Sequence, residues 1–393
     1  MENVLLTGVT GILGRHILYE LLRLYASGEK EGHIILIVRP DATGTAEERV
    51  RSLLFNHFRP RYLDEYPVAF LLSFITIIST AIDKLTGDHR VVLRNYTNLY
   101  VIHAAGCTRL TNDDRSLQEV YHENYQTTMW LLRRLGTLIR RFIYIGTTYA
   151  CGLREGEIND DYITVSKEGE VEPFPGGQPY RNHYEYLKRM TEHSVATWCK
   201  RKNINWQVLR PAAICGRLID EPLYYISQFN VFYDFGRFLY KWLKNENANS
   251  IDNVKQFRVV SNPEIALNII PVDYAARVIV ALYSCDDVRQ YNIVSSYPTP
   301  IGYMLPYMAN ALGLPCNMVD TPPAIEEMNA LEYAYYQKAS AYMTSYFTGP
   351  LHYFYKPKDA SEPHDVAEVN VLESFDALYA YACHHKFEEP VKN

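Results

Sequence analysis

Two side chains that could do chemistry, Tyr184 and Lys188, stand four positions apart in His183-Tyr184-Glu185-Tyr186-Leu187-Lys188. On a helix that spacing places both side chains on one face. A phenol ordinarily titrates near about 10, and a neighbouring ammonium favours its ionised form, so the pair predicts a lowered pKa for Tyr184. Such a phenol can donate its proton to an oxygen on which negative charge develops. The pattern indicates acid–base chemistry at a carbonyl group.

Two further polar residues could assist that phenol. Thr147 follows the apolar run at residues 142–145 and could donate a hydrogen bond to the substrate oxygen, with Thr148 as the competing assignment. Asn124 could hold a water molecule or a backbone group in a proton relay, or could make a hydrogen bond inside its own helix. The predicted catalytic residues are Thr147, Tyr184, Lys188 and Asn124.

A glycine-rich turn, Thr7-Gly8-Val9-Thr10-Gly11-Ile12-Leu13-Gly14, stands between an apolar run that begins at Val4 and a helical pattern over residues 12–24. Glycine in such a turn permits a tight bend, close approach of the backbone to a pyrophosphate, and contact between helix and strand. Free N–H groups at the start of the helix would face the anion. The G-x-x-G-x-x-G spacing differs from the dinucleotide fingerprint, so an ordinary strand-to-helix turn is the alternative.

The residue at the end of the second predicted strand helps to distinguish NADP from NAD as the cofactor. The strand ends in Arg39, where an acidic residue would bind the ribose of NAD and an arginine suits a 2′-phosphate. Arg15 could add a second cation, and a solvated surface arginine is the alternative for Arg39. His103-Ala104-Ala105-Gly106 would form a second loop near the nucleotide. We predict NADP(H) as the cofactor and no metal site. The predicted cofactor contacts are Thr7, Gly8, Thr10, Gly11, Ile12, Leu13, Gly14, Arg15, Arg39, His103, Ala104, Ala105, Tyr184, Lys188 and Pro211.

The composition is that of a globular protein. Of 393 residues, 48% are hydrophobic and 21% charged, and the net charge is -6 with no block of like charges. That balance argues against a nucleic-acid binder, which usually presents a basic face. Seven scattered cysteines predict a reduced, cytoplasmic chain. The longest uncharged stretch, residues 67–82, is shorter than the ~20 residues of a membrane helix, so no integral membrane segment is predicted. We interpret that stretch as a buried strand.

Apolar runs alternate with helical patterns through the first half of the chain. The runs are continuous, as expected for strands covered on both faces, and predict a doubly wound, parallel α/β sheet of the Rossmann type. Predicted strands cover residues 4–6, 34–38, 74–79, 99–103, 142–145, 206–211 and 291–294. Residues 1–215 would form the nucleotide-binding domain, with a late strand returning near 258–296. Residues 216–257 and 297–393 would form a smaller, mostly helical substrate-binding lobe.

Several motifs occur together in this chain. They are the glycine turn with Arg15, Leu36-Ile37-Val38-Arg39, Val101-Ile102-His103-Ala104-Ala105, Asn182 to Lys188, Leu209-Arg210-Pro211 and Ile270-Pro271-Val272-Asp273-Tyr274. In that combination the chain resembles an extended short-chain dehydrogenase/reductase over most of residues 3–300. It is similar to the branch of the fatty acyl-CoA reductases (the male-sterility group) and the terminal thioester reductase domains of synthetases. The resemblance implies that Thr147, Tyr184 and Lys188 form a catalytic triad, that Asn124 supports it, and that Arg39 contacts the NADP phosphate.

Some segments depart from that pattern. Gly146 stands where the group usually has Ser, and the third strand ends in Ser79-Thr80-Ala81-Ile82-Asp83 where Gly-Asp-Leu is customary. The contacts with adenine therefore stay open. More than 30 residues lie between Arg39 and the third predicted strand, a long link that resembles the thioester reductases. Nucleotide-sugar epimerases usually have a short link.

The leading hypothesis is an NADPH-dependent reductase of an activated acyl group, a thioester on CoA or on a separate carrier protein, that gives an aldehyde or an alcohol. Thr147 and Tyr184 would stabilise the oxyanion, and Tyr184 would protonate it. The alternative is a dehydrogenase or epimerase of a free ketone, alcohol or sugar nucleotide. A nucleotide-sensing regulator without turnover is a third reading, which the Tyr–Lys pair disfavours. We interpret the aromatic stretch at residues 224–235 as core packing in preference to an acyl-binding wall.

Overall fold

The structure, a computed structural model, describes residues 2–96, 98–174, 179–245, 254–355 and 366–390. The strands are β1 Glu2–Thr7, β2 Gly32–Val38, β3 Ile75–Ser79, β4 Leu99–His103, β5 Ile139–Ile145, β6 Gly156–Ile158, β7 Asn205–Pro211, β8 Ala213–Cys215, β9 Phe257–Val260, β10 Ala266–Leu267, β11 Ile269–Pro271, β12 Gln290–Ile293, β13 Thr299–Pro300, β14 Cys316–Val319 and β15 His352–Phe354. The α-helices are α1 Ile12–Ala26, α2 Ala46–Leu54, α3 Val68–Ser73, α4 Gly87–Leu93, α5 Asp114–Val120, α6 Thr127–Leu135, α7 His183–Arg201, α8 Tyr233–Asn245, α9 Val272–Leu282, α10 Ile301–Asn310, α11 Ala330–Lys338, α12 Ser340–Phe347 and α13 Phe375–His384.

The central sheet has seven strands in the order β12-β7-β5-β4-β1-β2-β3, and every neighbouring pair is parallel. This topology confirms the predicted doubly wound α/β sheet. The strand order reverses between β1 and β4, because the chain runs outward from β1 to β3 and then returns to the other side of β1. In open α/β sheets the crevice at that reversal, at the carboxyl ends of the strands, holds the ligand. Thr7 and His103, the last residues of β1 and β4, pair at this point.

Alternate side chains of β1 enter two different cores, which explains why its run is apolar throughout. Val4 and Leu6 are buried in a cluster with residues of α1 and α9. Leu5 is buried in a second cluster, with residues of α6 and α7. A strand that is covered by helices on both faces has no solvent-facing position that could be polar.

The apolar segment at residues 67–82 differs from its interpretation as one buried strand. Val68–Ser73 forms the short helix α3, and only Ile75–Ser79 is a strand. Pro67 precedes the helix with φ of -57°, a value compatible with helix entry. Leu71 is the fully buried residue of that helix. An apolar run by itself does not separate a short buried helix from a strand. Among the residues that the structure describes, no helix is long and apolar enough to cross a bilayer.

The second half of the chain forms a helical lobe with its own core. Aromatic and aliphatic side chains from α8, α10, α11 and α13 meet there, among them Phe235, Met304, Tyr335 and Phe375. Strand β9 pairs with β14 inside the lobe, whereas β12 rejoins the central sheet beside β7. The returning strand is therefore β12, and the domain boundary at residue 215 stays a prediction.

Candidate active site

The glycine turn is closely packed at two positions. Gly8 has φ of +75°, and a Cβ there would lie 2.6 Å from backbone atoms of Ala104 and Ala105. A Cβ on Gly14 would lie 2.1 Å from the carbonyl oxygen of Gly8. Helix α1 then begins at Ile12 with no side-chain cap and no acidic residue in its first turn. Its first N–H groups are thus available to an anion such as a pyrophosphate.

A cavity of about 360 Å³ extends from this turn to the helical lobe. Its wall contains ten of the residues predicted to act in catalysis or cofactor binding: Gly8, Gly11, Ile12, Leu13, Gly14, Ala104, Thr147, Tyr184, Lys188 and Pro211. The glycine turn and the Tyr–Lys pair therefore face one space. The remaining predicted residues lie outside this wall: Thr7, Thr10, Arg15, Arg39, His103, Ala105 and Asn124.

Helix α7 positions the Tyr–Lys pair. It begins after Asn182, whose side-chain oxygen accepts a hydrogen bond from the backbone N–H of Glu185 at 3.0 Å. The Lys188 ammonium donates to the carbonyl oxygen of Ile145 at 2.9 Å and lies 6.0 Å from the centre of the Tyr184 ring. Burial lowers the pKa of Lys188 to about 8, and the charge of Glu192 partly opposes that fall.

The expected lowering of the Tyr184 pKa is wrong. Burial raises the pKa of Tyr184 to about 12, and hydrogen bonds with Thr108 and Thr147 only partly oppose that rise. Tyr184 is half-buried in the cavity wall, and the Lys188 ammonium donates to a backbone carbonyl and not to the phenol oxygen. At neutral pH Tyr184 therefore carries its proton and is a hydrogen-bond donor.

The structure separates the two candidate threonines after β5. Thr147 is in the cavity wall, and its hydroxyl is close enough to Tyr184 to oppose the rise in the pKa of that phenol. The Thr148 side chain is fully buried outside that wall, and its hydroxyl has no hydrogen-bond partner among the described residues. The geometry favours Thr147 as the residue that assists the phenol.

Asn124 lies in a π-helix, Tyr121–Gln126, between α5 and α6. Its side-chain oxygen accepts from the N–H of Cys107 at 2.7 Å, and its amide donates to the Cys107 carbonyl at 2.9 Å. Of the roles considered for Asn124, the structure shows the contact with a backbone group. A π-helical turn often occurs where a helix aims a functional side chain, and here it fixes the loop after β4.

His103 braces the same loop from behind the cavity wall. One ring nitrogen lies 2.8 Å from the Thr7 hydroxyl and the other 2.8 Å from the Thr128 hydroxyl. The Thr7 hydroxyl in turn accepts from the N–H of Ala105 at 3.3 Å. Burial lowers the pKa of His103 to about 3, so the ring stays neutral. Thr7 and His103 thus act on the loop and not at the cavity surface.

The two arginines predicted for the 2′-phosphate have different surroundings. Arg39 follows β2 and is 65% exposed, with Glu123 4.0 Å away. Arg15 is buried and already paired, since it donates to Glu389 at 3.1 Å, to the Tyr225 hydroxyl at 2.9 Å and to the Thr10 carbonyl at 3.1 Å. Arg39 is therefore the more accessible cation at the sheet edge.

Comparison with known proteins places this architecture in a family. Residues 6–279 match the family described as Male sterility protein. The chain belongs to this family, in the extended short-chain dehydrogenase/reductases. It is 27% identical to human Fatty acyl-CoA reductase 1 over 290 residues, which cover 67% of this chain and 54% of the relative. It is 24% identical to mouse Fatty acyl-CoA reductase 2 over 308 residues, which cover 72% and 54%. The chain thus spans about half the length of these curated relatives.

Solved structures share the fold of this male-sterility family member. The terminal R domain from the myxalamid PKS-NRPS biosynthetic pathway matches with a TM-score of 0.65 and 18% identity, over 100% of this chain and 93% of that one. A thiolation-reductase di-domain from an archaeal non-ribosomal peptide synthetase gives 0.60 and 19%, over 99% and 91%. UDP-glucuronic acid 4-epimerase from Bacillus cereus, in complex with NAD, gives 0.60 and 16%, over 98% and 99%. At these identities the likeness establishes the fold alone.

Gly146, where the resemblance led us to expect Ser, stands in a closely packed place. A Cβ at this position would lie 2.2 Å from the Oε1 atom of Glu192. The other carboxylate oxygen of Glu192 accepts from Arg210 at 3.0 Å, and both side chains are fully buried. The missing side chain at residue 146 makes room for this ion pair.

The sequence did not point to several residues that line the cavity of this family member. Thr108 lies in the loop after β4 and lines the cavity, just beyond the predicted motif that ends at Gly106, so its hydroxyl was a signal that could have been found. Tyr346 carries no local signal, because it belongs to α12, far from the catalytic motifs in sequence. Part of the aromatic stretch at 224–235 is both core and cavity wall. The apolar end of the cavity is formed by Phe232, Phe235, Leu267, Met343 and Phe347.

Proposed function

We propose that this chain is an NADPH-dependent reductase of acyl thioesters that gives an aldehyde, or an alcohol after a second reduction. One observation carries the proposal: a protonated phenol, Tyr184, lies with Thr147 and the glycine turn in the wall of one cavity that also has an apolar surface. The matched relatives named fatty acyl-CoA reductases support the thioester substrate. The likeness to a thiolation-reductase di-domain supports a carrier protein as one source of it.

The residues of the turn fit a dinucleotide. Backbone fills the space where a Cβ would stand on Gly8 and Gly14, so a pyrophosphate can approach the chain closely there. Arg39, exposed at the end of β2, supports the preference for a 2′-phosphate and hence for NADP(H). The bound nicotinamide would supply the hydride.

The residues of this chain would act on the carbonyl oxygen. As the carbonyl carbon gains a hydride, Tyr184 gives its proton to the oxygen and Thr147 donates a second hydrogen bond to it. Lys188, fixed on the Ile145 carbonyl, places a positive charge near the phenolate that remains. The product of this step is a hemithioacetal. Its collapse breaks the carbon–sulfur bond and releases a thiol and an aldehyde.

The apolar part of the cavity wall indicates what kind of acyl group could bind. Phe232, Phe235 and Leu267 present hydrocarbon surface there, and burial of such surface is favoured when the bound group is apolar. We therefore propose an acyl group with an apolar end, attached to CoA or to the pantetheine arm of a carrier protein.

Turnover with a panel of substrates tests this proposal. The purified chain is incubated with NADPH or NADH and, separately, with acyl-CoA, an acyl-pantetheine thioester, a free ketone and a UDP-sugar. We expect NADPH consumption and a trapped aldehyde with the two thioesters only. Turnover of the ketone or the UDP-sugar without thioester reduction would favour the dehydrogenase or epimerase hypothesis. Equal rates with NADH would overturn the assignment of Arg39.

A further inference from the structure

Helix α7 begins in a buried hydrogen-bond network that also holds the helical lobe. Glu185, the residue after Tyr184, has no exposed surface. Its Oε1 atom accepts from the Tyr346 hydroxyl at 2.9 Å, and its Oε2 atom accepts from the backbone N–H of Arg181 at 3.2 Å. Asn182 donates from its amide to the same Tyr346 hydroxyl at 2.8 Å. The Tyr346 hydroxyl thus donates one hydrogen bond to the start of α7 and accepts another from it.

Arg181 ties three parts of the molecule to this network. Its guanidinium lies 3.4 Å from Glu185 and donates to the Ser345 carbonyl at 3.2 Å. It also donates to the carbonyls of Gly349 and Gly152, each at 3.4 Å. The side chain is only 3% exposed. The start of α7, the segment after Thr147 and the end of α12 are therefore joined through one arginine and one carboxylate.

The hydrogen-bond network determines which part of Tyr346 lines the cavity. Tyr346 lines the cavity, and its hydroxyl is held by Glu185 and Asn182. The ring is then the part left to form the wall, where it meets the Tyr149 ring edge to face at 5.5 Å. Tyr149 also lines the cavity. We call the contacts of Glu185, Asn182 and Arg181 with the Tyr346 segment the clamp. The clamp joins the aromatic wall on α12 to helix α7, which carries the phenol of Tyr184.

We propose that Glu185 is a positioning residue that, through Tyr346, holds the α12 side of the cavity wall in register with Tyr184 and so sets the KM for the acyl substrate. A buried carboxylate needs its hydrogen bonds, and bonds to a charged acceptor are stronger than neutral ones. Without them the α12 side of the wall would no longer be held in place, and binding of the acyl group would first have to order it, which weakens binding. This inference rests on the proposed function.

Tyr346→Phe tests the clamp, because it keeps the ring and removes both hydrogen bonds. We expect KM for an acyl thioester to rise about tenfold, as for the loss of a hydrogen bond to a charged group, while kcat and the Kd of NADPH change less than about twofold. Tyr336→Phe is the matched control. Its hydroxyl also ties the lobe together, donating to the Arg258 carbonyl at 3.0 Å and accepting from the Val260 N–H at 3.2 Å, but it lies outside the cavity wall. The control should lower Tm and leave KM unchanged.

A conservative rescue separates the clamp from a general structural role. Glu185→Gln keeps an oxygen that accepts from Tyr346, so KM should stay within about threefold of the wild-type value. Glu185→Ala removes that acceptor and should raise KM as Tyr346→Phe does. The proposal is overturned if Tyr346→Phe leaves KM unchanged, or if Tyr336→Phe raises it equally. Should Glu185→Ala not fold, the comparison of the two tyrosine variants decides.

Hydrogen exchange distinguishes failure of this inference from failure of the proposed function. Amides of residues 345–349 should exchange faster in Tyr346→Phe than in the wild type or in Tyr336→Phe, and no substrate is needed to observe it. If the wild-type chain reduces no thioester, the proposed function fails. The exchange rates then still show whether the Tyr346 hydroxyl holds this segment, and equal rates in all three proteins would overturn the clamp.

Discussion

At the scale of single residues, the half-buried Tyr184 and the buried Lys188 have opposite pKa shifts. Burial raises the pKa of Tyr184 to about 12 and lowers the pKa of Lys188 to about 8. At neutral pH the phenol therefore keeps its proton and most of the lysine keeps its charge. A proton donor beside a cation suits reduction of a carbonyl, in which negative charge develops on oxygen.

Replacement of the phenol is the first prediction at this scale. Tyr184→Phe removes the proton donor and keeps the ring, so kcat for thioester reduction should fall at least about a hundredfold. The Kd of NADPH should stay within about threefold of the wild type. Tyr186→Phe, an exposed tyrosine on the same helix, is the control and should keep full activity. A Tyr184→Phe variant that retains more than about a tenth of the rate would refute the assigned role.

The pH dependence of kcat is a second prediction. The proposed function needs Lys188 as a cation, and burial lowers the pKa of Lys188 to about 8, so its charge is present below that pH and is lost above it. The rate of reduction should therefore decline as the pH rises through about 8. Lys188→Met should be slow at every pH and show no such decline. A wild-type rate that stays constant up to about pH 10 would be incompatible with a cationic role for Lys188.

At the scale of elements, the turn between β1 and α1 fixes where a nucleotide can lie. Gly8 adopts a φ of +75° that other residues rarely accept, and Gly14 brings the start of α1 against the Gly8 carbonyl. The start of α1 and the loop after β4 therefore both pack closely against Gly8. Small changes in this turn should therefore affect cofactor binding before they affect the rest of the sheet.

Gly14→Ala tests this packing. The added Cβ would lie 2.1 Å from the Gly8 carbonyl oxygen, so α1 or the turn must move. We expect the Kd of NADPH, measured by titration calorimetry, to rise at least about tenfold, the loss of roughly one charge-assisted hydrogen bond. Gly87→Ala is the control, because a Cβ there meets nothing within 4 Å. Unchanged NADPH affinity in Gly14→Ala would show that the turn does not hold the pyrophosphate.

The sequence predicted those elements whose signal is local. The parallel strands, the glycine turn and the Tyr184–Lys188 face follow from patterns within one or two elements, and the structure has them. The helix at residues 68–73 was not predicted, because a short apolar helix and a strand look alike in sequence. The Glu185–Tyr346 contact joins residues 161 positions apart and depends on how the lobe packs, which no local pattern specifies. The raised pKa of Tyr184 likewise depends on enclosure by several elements.

At the scale of the whole molecule, the chain buries carboxyl groups at the junctions between its parts. Asp160 lies in the segment between β6 and α7 and accepts from the N–H of Asn292 in β12 at 2.6 Å. Burial raises the pKa of Asp160 to about 6, and that of Asp220, beside Arg277, also to about 6. These groups bind protons more tightly in the folded chain than in the unfolded one. Their ionisation therefore opposes folding at neutral pH.

Asp160→Asn should reveal that effect in the pH dependence of stability. Asn keeps the oxygen that accepts from Asn292 and removes the charge, so the variant should be more stable than the wild type at about pH 8, by about 1–2 kcal/mol. The gain should disappear near pH 4, where the wild-type carboxyl is protonated in the folded chain. Urea denaturation at both pH values measures it, with the exposed neighbour Asp161→Asn as control. A variant that is less stable at pH 8 would contradict this account.

The central claim is that hydride reaches the carbonyl carbon of a thioester in the cavity that holds Tyr184 and the glycine turn. Reduction of an acyl thioester with NADPH in which both hydrogens at C4 of the nicotinamide ring are deuterium, followed by mass spectrometry of the trapped aldehyde, tests it directly. The account predicts one deuterium at C1 of the aldehyde, formed in step with the free thiol and lost in Tyr184→Phe. An aldehyde without deuterium, or deuterium that enters only a free ketone or sugar, would contradict it.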